Sequence, residues 1–256
     1  VTRQFVDWVA AYTVSPPGSV LKMAMSVPAA LEEPKPRIAY GLNPDPPDFK
    51  MTKARGRVID VLKDGQPPRP GSELAREAAV GTSVVNGLVK TGALLSIEMA
   101  PIVEMQNPDG NHPGHDLSKA QAQAGDVLAE DVAIGGFSVS LLDGVPGSGK
   151  TEVYFQAVAE ALKQGRQVLV LLPEIALSAQ WLGRFENRFG AAPVEWHSDL
   201  TPARRRDTWR AVSEGQVGVV VGARSALFLP YKDLALIVVD EEHEGAFKQE
   251  EGVIYN

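Results

Sequence analysis

Eight residues, GVPGSGKT (144–151), combine three glycines with a lysine and a hydroxyl, the set needed to hold a phosphate chain. Gly144, Gly147 and Gly149 let the backbone bend and approach an anion, and Ser148 adds one more amide to the turn. If a helix begins here, its first amides and its dipole both favour negative charge at that point. Lys150 is then placed to reach the terminal phosphates, and Thr151 to offer its hydroxyl to a magnesium ion. The flanks support this order: an apolar run, FSVSLL (137–142), precedes the loop and an amphipathic run, EVYFQAVAEAL (152–162), follows it. An ordinary glycine turn before a helix is the bland alternative, and it does not explain the lysine and threonine.

A second group of chemically capable residues closes the run LALIVVDEEH (234–243). Burying several acids without a cation is expensive, so carboxylates at the end of a buried strand suit a metal and water site better than a core, with a solvated acidic loop after an edge strand as the plain alternative. Asp240 would hold magnesium through water opposite Thr151, and Glu241 would orient or deprotonate an attacking water. His243 is placed to couple that site to movement elsewhere. Gln121, in LSKAQAQA, has an amide that could face adenine, although an exposed helical glutamine is commonplace. His112 and His115 are three apart in a proline-rich loop without cysteine, which makes them solvated loop residues rather than metal ligands.

Positioning these groups requires an α/β frame. The pattern predicts strands over 137–142, 167–172, 194–196, 217–221 and 236–239. Helices are predicted over 150–163, 179–189 and 201–213, the last carrying Arg204 to Arg206 as a solvated basic face. Near-continuous apolar strands separated by helices imply a parallel sheet covered on both faces, with ligands outside the strand carboxyl ends. Gly144 and Asp240 both follow predicted strands, so such a sheet would bring them to one edge.

Upstream, residues 5–12 and 20–25 form two short helical segments around SPPG, too little for a domain, and GLNPDPPDF (41–49) reads as a linker or an extended edge. Helices over 54–62, 72–78 and 82–92, with Thr82 as N-cap and Gly92 as C-cap, precede the alternating stretch ALLSIE (93–98). Three short helices and a strand pair outline a winged helix. Its third helix carries Lys90 as its one charge, so both groove binding and a docking or spacer role stay open. The resulting division is an N-terminal region with its linker over 1–49, a winged helix over 50–104, a linker over 105–116 and a nucleotide-binding domain over 117–256.

Bulk properties fit this plan. The net charge is −7, yet residues 50–95 carry eight Lys/Arg against four acids, which leaves −11 for the rest. That basic segment is either a nucleic-acid footprint or a solvated helix face. The chain has no cysteine, which suits a reducing compartment; the cytoplasm is expected, with no signal peptide and no membrane span. A start at Val1 and a stop after Tyr255-Asn256 suggest part of a longer protein.

The paired motifs GVPGSGKT and DEEH resemble those of superfamily two helicases. PEIALSAQ (173–180), WHSDL (196–200), GARSALFLP (222–230) and DEEHEGAFKQEEGVIY (240–255) are most similar to the primosomal replication-restart branch. The resemblance is strongest over 117–255. It implies a RecA-like P-loop fold, ATP and magnesium as cofactors, and ATP-driven 3′ to 5′ translocation on forked or single-stranded DNA. It also implies primosome and single-strand-binding proteins as partners, with zinc confined to a region beyond this chain. By position it makes Lys150, Thr151, Asp240 and Glu241 the ATPase residues and Gln121 the adenine reader. Arg224 and Ser225 would face DNA, and Phe247 and Lys248 would sit in the loop joining DNA binding to hydrolysis. Arg224 is also a natural phosphate ligand and Phe247 a stacking surface, although either suits plain loop structure.

The chain departs from that family at Pro146 and Ala223, where threonine is commoner, and at Val253, where an aromatic is commoner. The second motor domain, the zinc region and most of a DNA 3′-end-binding domain have no counterpart in these residues. A one-walled cleft gains little from closure, so the isolated chain is expected to bind ATP weakly and hydrolyse it negligibly. Two alternatives to the restart helicase stand: a nucleotide-sensing winged-helix DNA-binding regulator, and another superfamily two translocase.

Overall fold

A computed structural model describes all residues except 1, 34–35, 64, 100–105, 174–178, 248–252 and 254–256. They form two compact units, one of residues 33–102 and one that joins 1–32 to 103–256.

The larger unit begins with α1 (Thr2–Tyr12) and α2 (Pro17–Ala24). On α1, Val6, Val9 and Ala10 share one helix face and are buried, while Pro17 opens α2 at a position where its missing N–H costs nothing. These helices close over Phe228 and Val253 of the same unit, so the first residues cap the larger fold rather than forming a separate body.

In the smaller unit, β1 (Arg37–Leu42) pairs antiparallel with β2 (Arg69–Pro70) and β3 (Leu94–Met99), in the order β2-β1-β3. The proline-rich stretch thus starts inside a strand, since Gly41 pairs with Leu95 and Leu42 with Leu94. The helices α3 (Lys53–Leu62), α4 (Gly71–Glu77) and α5 (Thr82–Lys90) bury Val58, Leu62, Leu74, Val85 and Leu88 together. Thr52 caps α3 by accepting from the Arg55 amide at 3.3 Å. The α5 cap is Gly81, not the expected Thr82, whose side chain makes no capping hydrogen bond.

The body of the larger unit runs through α6 (Lys119–Ile134), α7 (Lys150–Lys163), β4 (Gln167–Leu171), α8 (Ala179–Phe189), β5 (Val194–Trp196), α9 (Pro202–Glu214), β6 (Val219–Gly222) and β7 (Leu234–Val239). The strands form one parallel sheet in the order β5-β6-β4-β7. Alternation sorts their side chains to two faces. Val168, Val170, Val219 and Val221 join Phe155, Val158, Phe185 and Phe189 on one side; Leu169, Leu171 and Val220 join Trp196, Val212 and Phe247 on the other. The RecA-like α/β expectation thus holds, with helices on both sides of the sheet, but β7 is an edge strand rather than the buried strand expected: Ile237 and Val239 are 44% and 47% exposed.

One predicted strand is absent. Residues 137–142 make no strand, and Phe137, Val139 and Leu141 are exposed at 95%, 82% and 82%. Alternation predicts a strand only where a neighbour supplies the ladder of hydrogen bonds, and among the described residues β7 pairs on one side alone, with β4. The glycine loop therefore follows an extended segment rather than a sheet strand.

Candidate nucleotide site

The glycine loop turns into α7 at Gly149, the N-cap, whose φ of +82° lies in the left-handed region. Gly147 adopts a φ of +77°, so two of the three glycines hold conformations that disfavour any side chain. A Cβ on Gly149 would also lie 2.5 Å from Gln121 Nε2. The loop is folded onto itself: Lys150 Nζ donates to Gly144 O at 2.7 Å, at the mouth where a phosphate would compete for the ammonium.

Gln121 stands beside this loop because α6 begins at a capping box. Ser118 Oγ accepts from the Gln121 amide at 3.3 Å, and Gln121 Oε1 accepts from the Ser118 amide at 2.8 Å. The other end of the side chain, Nε2, donates to Ser148 O at 2.8 Å. Both ends of the amide expected to face adenine are engaged here, and the residue buttresses the glycine loop. The Ser-x-x-Gln spacing carried the capping half of this arrangement; the contact with Ser148, 27 positions away, left no local signal.

Asp240 follows β7 and is reached from α7. Its Oδ2 accepts from Tyr154 Oη at 3.0 Å, and its Oδ1 accepts from the Glu241 amide at 3.1 Å. Tyr154 is buried and its oxygen accepts from Trp181 Nε1 at 2.9 Å. Burial pushes the phenol far above its ordinary pKa and the Asp240 carboxylate pushes it further, against smaller opposing effects from Trp181 and Thr151. The phenol thus keeps its proton and donates it toward Asp240. Sequence reasoning missed Tyr154 and Trp181, although Tyr154 lies four residues after Lys150 and three after Thr151, on one face of α7.

Glu241 is exposed and holds a φ of +54°, uncommon for a residue with a side chain. His243 approaches both neighbouring acids, with Nε2 at 3.6 Å from Glu241 and Nδ1 at 3.3 Å from Glu242. No cluster of three or more metal-ligating side chains occurs among the described residues. Magnesium binds through one or two protein oxygens plus phosphate and water. Asp240 and the Thr151 hydroxyl fit such a sparse donor set.

The other predicted residues divide. Arg224 opens the turn Arg224–Phe228 half-buried, and Ser225 is exposed. Phe247 is 8% exposed and packs with Trp196, Leu169 and Ala226, so it presents no free face for a base; the apolar sheet face outcompetes solvent for its ring. Lys248 lies outside the described residues. The basic run on α9 is not simply solvated. Arg204 is exposed, but Arg205 sits 4.8 Å over the Trp196 ring and Arg206 pairs with Asp207 at 2.9 Å. His115 is exposed as expected, whereas His112 is half-buried and its carbonyl accepts from Arg188 at 2.5 Å.

Comparison with known proteins gives the family. The DEAD/DEAH box helicase family matches residues 118–255. Curated relatives include "Replication restart protein PriA" of Rickettsia conorii, 45% identical over 175 residues, which are 68% of this chain and 26% of the relative. The protein of that name from Synechocystis is 37% identical over 223 residues, 87% of this chain and 26% of the relative. The one from Chlamydia pneumoniae is 34% identical over 255 residues, 95% of this chain and 34% of the relative. The chain thus spans about a quarter to a third of the length of these relatives. With Asp240, at the end of β7, bonded to Tyr154 of the helix that the glycine loop opens, and a family match over 118–255, the chain belongs to the DEAD/DEAH box helicases.

Proposed function

We propose that this chain is the nucleotide-binding part of an ATP-driven 3′ to 5′ DNA helicase that restarts replication at stalled forks. The observation that carries the reading is the hydrogen bond from Tyr154 to Asp240, which ties the helix opened by GSGKT to the carboxylate after β7. A phosphate loop and an acid held that closely form the two sides of one nucleotide site. The names of the relatives support the replication-restart setting, and so does the similarity in WHSDL and GARSALFLP.

In this reading Lys150 leaves Gly144 O and pairs with the terminal phosphates, while the amides of 147–149 and the start of α7 hold the remaining charge. Bound magnesium supplies charge neutralisation across the phosphates, and Thr151 and Asp240 are the residues that would hold it. Glu241, beside the carboxylate, orients the attacking water and accepts its proton. A purine reached through Gln121 would take over the hydrogen bond that Ser148 O now receives. Arg224 and Ser225 face the DNA strand, and the winged helix expected over 50–104 contacts or spaces the duplex. Primosome and single-strand-binding proteins are the partners in the cytoplasm, and zinc belongs to the remainder of the protein. No helix among the described residues is long and apolar enough to cross a membrane.

The test is Lys150→Ala in the complete gene product. Unwinding of a forked substrate should fall to background while DNA binding is retained. Retained unwinding would refute the motor, and retained DNA binding without any unwinding in the unsubstituted protein would favour the nucleotide-sensing regulator.

A further inference from the structure

The magnesium side of the nucleotide site is held by residues that none of its motifs contains. Trp181, in the first turn of α8, donates its indole N–H to Tyr154 Oη at 2.9 Å. An indole nitrogen can only donate, so it occupies an acceptor position on the phenol oxygen and leaves the phenol proton to go onward. That proton goes to Asp240 Oδ2 at 3.0 Å. The polarity of the chain is therefore fixed, from indole to phenol to carboxylate. Successive donors polarise one another, and in a buried setting the order resists reversal.

The rings cannot easily turn away. Tyr154 is 6% and Trp181 7% exposed, and both pack edge-on against Phe155, at 5.3 and 5.9 Å between centroids. Trp181 also stacks on Phe185 at 5.5 Å. Asp240 is held at its other oxygen by the Glu241 amide, so each carboxylate oxygen has one fixed donor and keeps a lone pair for water.

We propose that Tyr154 is a positioning residue for the nucleotide site: its phenol, oriented by Trp181, fixes the rotation of the Asp240 carboxylate and so sets the affinity for magnesium. The inference rests on the ATP–magnesium reading above. It also links α8 to the metal side of the site, since any shift of the first turn of α8 moves the donor that holds the phenol.

Tyr154→Phe removes one oxygen and keeps the ring. Partners of this kind typically alter metal affinity by 10- to 100-fold. In the complete gene product, the magnesium concentration for half-maximal DNA-stimulated ATP hydrolysis should rise about tenfold, with kcat at saturating magnesium changed much less. Magnesium-dependent binding of a fluorescent ADP analogue should shift by the same factor, and magnesium-free binding should not shift. Trp181→Phe should move both curves in the same direction, and it decides the matter if Tyr154→Phe fails to give a cooperative melt. Unchanged magnesium curves in the folded variants, in an otherwise active protein, would overturn the positioning role alone. A parent protein that neither binds nor hydrolyses nucleotide would overturn this inference together with the reading beneath it.

Discussion

Substituting Gly149 with alanine tests the loop architecture most directly. The backbone at this position is left-handed, which costs a residue with a side chain about 1 kcal/mol. The new Cβ would also stand 2.5 Å from Gln121 Nε2 and push that amide away. The displaced side chain would lose its bonds to Ser148 O and to the Ser118 amide, roughly 0.7 kcal/mol each. Gly149→Ala should therefore cost about 2.5 kcal/mol and Gln121→Ala about 1.5 kcal/mol. Because the alanine acts partly by expelling Gln121, the double variant should cost only about 2.5 kcal/mol rather than about 4. The assay is urea unfolding followed by tryptophan fluorescence. All four tryptophans, Trp8, Trp181, Trp196 and Trp209, lie in the larger unit, so the signal reports that unit alone. Additivity of the two single costs to within about 0.5 kcal/mol would refute the contact between the loop and α6.

Three further outcomes follow from the packing. Phe247→Ala should destabilise the larger unit by about 3 kcal/mol in the same assay, because the ring is core; a stacking residue waiting for a base would cost almost nothing. Arg210→Ala should cost about 2 kcal/mol, since its guanidinium donates to the carbonyls of Ala29, Ala30 and Glu32 and anchors the N-terminal segment; an unchanged midpoint would show that the segment is held by α1 and α2 alone. Burial raises the Tyr231 pKa above its ordinary value of 10.0, so the folded state keeps a proton that the unfolded state loses. Its contribution is fully present below pH 10 and is lost as pH rises, at about 1.4 kcal/mol per unit. Tyr231→Phe should flatten the alkaline fall in stability by that slope, and an identical slope in both proteins would contradict the burial.

Much of the site was legible because its chemistry is local. A glycine-lysine-threonine loop needs neighbours in sequence, and a strand that ends in acids announces itself by composition. The helices over 150–163 and 179–189 carry their apolar faces in their own periodicity, and the structure returns those bounds. Contacts that join distant segments left no such trace. Nothing near Tyr154 predicts a partner 86 positions away at Asp240, and nothing in the segment after DEEH shows that Phe247 will enter the core. Alternation in FSVSLL was misleading for the same reason, since a strand is a property of a pair and not of a segment.

The sequence by itself determined the glycine-lysine-threonine loop and the acids after β7 that are proposed to hold phosphate and magnesium, the alternation of strands and helices, and the resemblance to helicases. Those are set by residue type and short spacing, which side-chain chemistry and local sterics control. The tertiary structure alone decided which groups meet: Gln121 on the loop, Tyr154 and Trp181 behind Asp240, and the N-terminal helices over Phe228. These depend on how the sheet and its helices fold back in space, where burial and unpaired hydrogen-bond donors select among the partners that the chain makes available.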